Sequence, residues 1–342
     1  MVAPESFWPI VAFVFGACVG SFLNVVIYRL PRGQTLVKPE HSYCPNCSGR
    51  LQAIDLVPLL SFIALRTRCR QCGKPISWRY FWVELLTAAL FAVITARFQS
   101  QPFLAVALLL FTSALIPIAF IDLATFTIPN SLNLLAFAIP VLLDGILLVS
   151  HAPGHRLMFG WLPVSIAGAV GGILMLGGFR TLGSIVFRRE AMGLGDVYLA
   201  RAIGAMLGLI VLPGQEPLRL FPVWLLASTV TGMVVGGVPL LVDRFRKRVT
   251  PADDGGQGEA GPVRASALVT EWLAVFLFWD LWEMFRKDGG SDETTILVEG
   301  PLDPTAVPFG PYLGIGFLVT LFVGAQVTNW YLATMLGQGR HL

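Results

Sequence analysis

Runs of about 20 apolar residues recur along this chain, the length a helix needs to cross the hydrocarbon core of a bilayer. They fall near 8–28, 81–98, 103–121, 131–149, 161–186, 197–212, 222–242 and 312–333. Lipid offers no partner to backbone N–H and C=O groups, so such runs must satisfy themselves as helices. The sequence therefore predicts an all-α polytopic membrane protein, a bundle of about eight transmembrane helices, with 197–212 the shortest and weakest run. Of its 342 residues, 55% are hydrophobic and only 13% charged, which excludes an ordinary soluble domain.

Charge sets the expected orientation. No Lys or Arg precedes the first run and Arg29 follows it, the reverse of a cleavable signal peptide, so the N-terminus is expected outside. Alternation then puts the loops 29–80, 122–130, 187–196 and 243–311 on one side. Of the 24 Lys and Arg, only Arg97, Arg156, Arg219 and Arg340 lie opposite, with Arg180 and Arg201 inside runs. The positive-inside rule makes the first side cytoplasmic. The net charge of +3 is this asymmetry, and nothing in it points to nucleic acid.

The chain accordingly reads as a first transmembrane helix over 1–28, a cytoplasmic loop domain over 29–80 and a transmembrane core over 81–242. A cytoplasmic insertion over 243–311 and a last helix with its tail over 312–342 follow. The insertion opens with the basic Arg244, Arg246, Lys247 and Arg248 and continues as an acidic, Gly-rich linker. Its apolar stretch 267–285 carries Glu271, Asp280 and Glu283 among three tryptophans, a pattern of an interfacial helix rather than a ninth span.

The loop 29–80 is too small to hold a core unaided. Cys44-Pro-Asn-Cys47 and Cys69-Arg-Gln-Cys72 form two C-x2-C knuckles separated by 21 residues. Such pairs read as a tetrahedral four-thiolate zinc site, against two disulfides or free thiols, and a reducing cytoplasmic face disfavours disulfides. Four thiolates leave no open position, so the zinc is structural. Cys18 reads as packing inside the first run. The small residues of 161–186, Gly168 and Gly172 among them, read as a close-packing helix face.

Two aspartates stand where apolar runs meet cytoplasmic loops. Asp122 closes the run 103–121, and Pro129-Asn130 restarts the chain into the next helix. Asp196 ends Gly193-Leu194-Gly195-Asp196, where the glycines permit another backbone to come close. Ionisable groups at a bilayer edge are costly, and two that share a site cannot both ionise. One then keeps its proton as general acid while the other activates water. Taken singly, Asp122 also reads as an exposed helix end and Asp196 as an N-cap. Asn24 is expected to hydrogen-bond between helices, Glu84 to pair with a basic residue, and Asp144 to be structural.

In order, the blocks Gly20-Ser21-Phe22-Leu23-Asn24, both knuckles, Pro75-Ile76-Ser77-Trp78-Arg79-Tyr80 with Glu84, Ile121-Asp122 with Ile128-Pro129-Asn130, Gly193-Leu194-Gly195-Asp196 and Pro308-Phe309-Gly310-Pro311 resemble the bacterial type IV prepilin peptidases, the GxGD class of intramembrane aspartic proteases. The resemblance spans the chain except about 243–306. It implies that Asp122 and Asp196 are the catalytic pair, with Gly193 and Gly195 in the active-site loop. It implies cleavage of the leaders of prepilins and pseudopilins, the subunits of type IV pili and type II secretion, at the cytoplasmic face of a bacterial inner membrane. In bifunctional members, N-methylation from S-adenosylmethionine follows, and the loop with its cysteines and Arg79, Tyr80 and Glu84 belong to that larger form. Tyr198 replaces the usual lysine after the second aspartate and Ala124 an acidic residue after the first. The readings set against this one are a non-enzymatic, zinc-containing membrane assembly factor and a proton-relay transporter. The mostly apolar spans disfavour the second.

Overall fold

The computed structural model describes residues 6–37, 41–150, 157, 162–187, 192–210, 220–236 and 308–335. The expected interfacial helix over 267–285 and nearly all of the insertion lie outside the described residues. The described residues fall into two compact units, one up to Thr125 and one from Phe126 onward. Among the described residues the secondary structure is helical, with isolated β-bridges and no strand.

In the first unit, helix α1 (Phe7–Arg29) pairs with α3 (Trp78–Arg97), the short α2 (Leu60–Ala64) sits in the loop between them, and α4 (Pro102–Thr125) packs on both. Gly16 and Gly20, four apart, lie on one face of α1. A Cβ at Gly20 would stand 2.7 Å from the Cα of Glu84, and one at Gly16 2.9 Å from the Cα of Ala88. Without a hydrophobic drive between helices in lipid, this close approach supplies the dispersion contact that holds the pair. Asn24 adds the expected interhelical bond, its Nδ2 donating to the Tyr80 carbonyl at 3.1 Å. The hydroxyl of Ser77 caps α3 by accepting from the Arg79 amide. Trp78 and Trp82 are exposed at this end of α3, as in an aromatic belt.

The second unit holds α5 (Asn130–Val149), α6 (Val164–Phe187), α7 (Leu194–Leu209), α8 (Phe221–Thr231) with a π-turn over Gly232–Gly236, and α9 (Gly310–Met335). The glycines of α6 close-pack as expected. A Cβ at Gly168 would collide with the Gly204 carbonyl oxygen of α7, and one at Gly172 with that of Ala200. Asp144 caps the start of α6, its Oδ2 accepting from the Ser165 amide at 2.8 Å. This is a structural job, as the sequence predicts. Trp224 of α8 donates from Nε1 to the Leu313 carbonyl of α9.

Six helices, α1, α3, α4, α5, α6 and α9, are long and apolar enough to cross a membrane. The two other predicted runs give shorter helices among the described residues. Helix α7 has 16 residues, roughly 24 Å at 1.5 Å per residue, short of the ~30 Å hydrocarbon core. Every residue from Val197 to Leu209 is buried, so α7 is wrapped by protein rather than lipid. Cys18 also differs from expectation, since it lies exposed on α1 instead of packing. The side of α1 that approaches α3 is the glycine side.

Candidate active site and metal centre

The apolar run of α4 does not stop at Asp122. The helix continues to Thr125, whose Oγ1 donates to the Ile121 carbonyl at 2.9 Å, and ends where Phe126 turns to φ 55°. Asp122 therefore stands one turn inside the helix end and is only 4% exposed, a correction to the water-washed terminus expected from sequence. Helix α5 starts at Asn130 with Pro129 as its N-cap residue, so the chain restarts at Pro129-Asn130 as predicted.

Asp196 occupies the third position of α7, behind Gly193 as the N-cap residue, and is half-buried. It is thus not itself the N-cap. A carboxylate in a first helical turn is favoured by the helix dipole. Neither glycine has a positive φ; Gly193 is extended, at φ −67° and ψ 151°. What needs the missing side chain at Gly195 is contact, because a Cβ there would stand 3.2 Å from Ile128 Cβ. The close neighbour is a side chain of the segment before α5, where the sequence suggested an approaching backbone.

Two side chains that sequence reasoning did not single out hold this turn at both ends. Asn133 of α5, 1% exposed, donates from Nδ2 to the Gly195 carbonyl at 3.3 Å. Arg180 of α6 donates from Nε to the Met192 carbonyl at 2.8 Å. The only sequence signal was that Asn133 and Arg180 are polar residues inside apolar runs. Just beyond, Tyr198 packs with Ile173 and Val197, and the Arg201 guanidinium lies 5.2 Å from its ring and 4.5 Å from that of Phe137. The position where the resembling family usually has lysine is thus filled by a buried ring with a cation stacked on it.

In the first unit the four cysteines come together. The sulfurs of Cys44, Cys47, Cys69 and Cys72 all lie within 4.8 Å of one another, and all four thiols are free. A tetrahedron with Zn–S bonds near 2.3 Å has S···S edges of about 3.8 Å, so the cluster has the size of a metal site. Each knuckle is a small hairpin with the same bonds. The Cys44 amide donates to Gly49 and that of Ser48 to Cys44; the Cys69 amide donates to Lys74 and that of Gly73 to Cys69. Ser48 and Gly73 hold equivalent left-handed positions, φ 55° and 67°.

The amides of Cys72 and Gln71 donate to the Cys69 sulfur and bring its thiol down to about 7. At Cys47 the Gly49 amide pulls down, but desolvation and the facing Cys44 and Cys72 sulfurs outweigh it and push the thiol up to about 11. Four crowded thiols cannot all shed protons without a cation, and a divalent metal supplies one.

The block Arg79, Tyr80 and Glu84 opens α3. The Arg79 guanidinium lies 5.4 Å from the Tyr80 ring. Glu84 does not take the basic partner expected for it. Its Oε2 accepts the backbone N–H of Leu59 at 2.8 Å, tying the cysteine loop to the spanning helix.

Two family models match the chain, Bacterial Peptidase A24 N-terminal domain over 14–98 and Type IV leader peptidase family over 109–237. A Prepilin leader peptidase/N-methyltransferase of Myxococcus xanthus is 37% identical over 98% of this chain and 97% of its own. The chain belongs to the type IV leader peptidase family. Two further relatives are also similar. A Prepilin leader peptidase/N-methyltransferase of Aeromonas salmonicida is 29% identical over 95% of this chain and 94% of its own. A Type 4 prepilin-like proteins leader peptide-processing enzyme of Escherichia coli is 33% identical over 60% of this chain and 79% of its own. No solved structure matches. The leader peptidase model takes in both aspartates, and the N-terminal model takes in the cysteine loop and Glu84.

Proposed function

We propose that the chain is an intramembrane aspartic endopeptidase that removes the leader of type IV prepilins and pseudopilins, then N-methylates the new N-terminus. What supports it is that relatives bearing this enzyme name align over nearly the whole chain, both aspartates included. Those names disfavour the non-enzymatic assembly factor.

In the chemistry proposed, Asp122 and Asp196 share one proton. The ionised carboxylate takes a proton from water as it attacks the scissile carbonyl, and the protonated one gives its proton to the carbonyl oxygen; the C–N bond then breaks as the carboxyl that took water's proton passes it to the leaving amine and the other carboxylate takes a proton back from the hydroxyl. No covalent intermediate is needed. The clamp by Asn133 and Arg180 fixes the turn that carries Asp196, so the carboxylate is positioned before substrate arrives. Both aspartates adjoin loops assigned by the positive-inside rule to the cytoplasm, which supports an active site facing the cytoplasm in a bacterial inner membrane.

The metal proposed for Cys44, Cys47, Cys69 and Cys72 is zinc, bound by four sulfurs and holding the loop without taking part in cleavage. S-adenosylmethionine supplies the methyl group when bound. Incubating the purified protein with a prepilin, with and without S-adenosylmethionine, and reading the product's N-terminus and mass tests the whole. Cleavage between leader and hydrophobic helix, with a mass gain of one methyl only when the donor is present, is the expected result. An intact prepilin would refute the peptidase reading, and a cleaved but never methylated product would refute the methylation.

A further inference from the structure

Between its two knuckles the cysteine loop carries a run that neither the metal site nor the proposed chemistry uses. The ten residues from Leu56 to Leu65 hold no charge, and three arginines, Arg66, Arg68 and Arg70, follow within five residues. An apolar run of this length is too short to span a bilayer and suits a core or a membrane surface. The structure excludes the core. Leu60 and Ile63, three apart on one face of α2, are 67% and 63% exposed, whereas Phe62 on the other face is buried. Val57, three residues before Leu60, is exposed as well.

The contacts of α2 place that face at the bilayer edge. The Phe62 ring lies 5.1 Å from that of Trp78 and 5.5 Å from that of Phe81, both in the first turn of the spanning helix α3. Trp78 and Trp82 are themselves exposed, at the headgroup level of an aromatic belt. The Leu59 amide at the head of α2 is held by Glu84. Glu84 stands six residues past Trp78, about 9 Å along α3, so α2 starts level with the belt rather than out in the cytoplasm. Its backbone is suited to that depth, since the amides of Ser61, Ile63 and Leu65 donate to the carbonyls of Val57, Leu59 and Ser61.

Charge completes the pattern. Asp55, the acidic residue next to the run, is neutralised by Arg70 at 2.8 Å. Arg66 and Arg68 are exposed directly behind α2, where Arg66 and Thr67 turn the chain at φ 48° and 63°. An apolar face rimmed by arginines is the make-up of a helix that lies in an anionic membrane surface.

We propose that α2 docks the cysteine loop on anionic phospholipid, with Leu60 and Ile63 in the acyl boundary and Arg66 and Arg68 on headgroup phosphates. Lipid is the occupant because the exposed face continues that of Trp78 and Trp82 on a helix long and apolar enough to span.

The test is photocross-linking of the full chain in vesicles. A photoreactive diazirine amino acid replaces Ile63, or Val93 on the exposed side of α3, or Arg50, exposed on the loop away from the run. The vesicles are phosphatidylcholine with about one part in ten of phosphatidylglycerol, and mass spectrometry identifies what each probe meets. Thermal unfolding and metal content verify that each protein is folded. Position 63 should form phospholipid adducts as readily as position 93, and position 50 should form few. Phosphatidylglycerol should be enriched about fivefold over its bulk share at position 63, the preference that one interfacial arginine gives. Arg66→Gln with Arg68→Gln should return it to the share seen at position 93. Cross-links from position 63 to another part of this chain or to a second copy, or reaction with water and no lipid adduct, would overturn the docking. Lipid adducts without enrichment, or enrichment that survives loss of both arginines, would overturn the assignment to anionic headgroups.

Discussion

The Glu84 carboxylate accepts the Leu59 amide across 25 residues of sequence at 2.8 Å. One residue of a spanning helix thereby fixes the backbone of a loop whose own core is slight. Leu59 adopts φ 61° and ψ −48°, a conformation a leucine does not choose unaided. The hydrogen bond to Glu84 holds it there, and the Phe62 ring, 5.1 Å from Trp78, packs the following turn against α3.

Glu84→Ala is expected to release this loop, at a cost of about 1–3 kcal/mol for the orphaned amide. Limited proteolysis should then cut faster at Arg66, Arg68 and Arg70, as seen by peptide mass mapping. Wild-type cleavage kinetics in the loop would show that Glu84 does not anchor it.

Asp122→Asn and Asp196→Asn should each lower leader cleavage by about a thousandfold or more, the scale of acid and base catalysis lost together. Asp144→Asn keeps an acceptor for the Ser165 amide and should cleave normally. Initial rates of prepilin processing at equal protein levels decide this. Normal rates in either of the first two variants would refute their catalytic role.

Asn133→Ala and Arg180→Ala each free one end of the turn from Met192 to Gly195. Each should lower kcat about tenfold to a hundredfold, the scale of a misplaced catalytic group, with a smaller change in KM. The double variant should lose less than the product of the two, because both act on one turn. Independent, fully multiplying losses would argue against a shared clamp.

Removing one sulfur should empty the four-cysteine site. Elemental analysis is expected to find about one zinc per chain in wild type, and little in Cys44→Ser. Metal retention should also follow pH. The Cys69 thiol lies near 7 in the folded protein, below its ordinary value of 9.0, so the fold favours its thiolate. That contribution is complete above about pH 9 and lost as pH falls through about 7. Competition with a chelator should strip the metal more readily at about pH 6 than at about pH 8.

Gly172→Leu would drive a side chain into the Ala200 carbonyl of α7. Overpacking of this kind costs about 1–3 kcal/mol or more, and α7 carries Asp196. Thermal unfolding in detergent should fall, and cleavage should fall with it. Gly178→Leu, at a glycine with open space around it, is the control and should do neither.

Much of this protein was legible in the order of its residues, because those signals are local. Apolar run length gives the six long helices, and 197–212 already read as the weakest run. Cysteine spacing gives the cluster, since two C-x2-C knuckles in one loop supply the four sulfurs of a tetrahedral site. The glycines of α6 announced a close contact but not its partner.

The sequence alone determined that the chain crosses a membrane, where its ionisable residues are costly, and which four sulfurs could share an ion. The tertiary structure decided that Asp122 is buried within a helix, that α7 is sheathed by protein, and that Asn133, Arg180, Asn24 and Glu84 each hold a distant segment. Those four all bond to main-chain N–H or C=O groups. Every residue but proline carries the same donor and acceptor on its backbone, so no pattern of side chains marks which one will be met; only the path of the chain in space selects it.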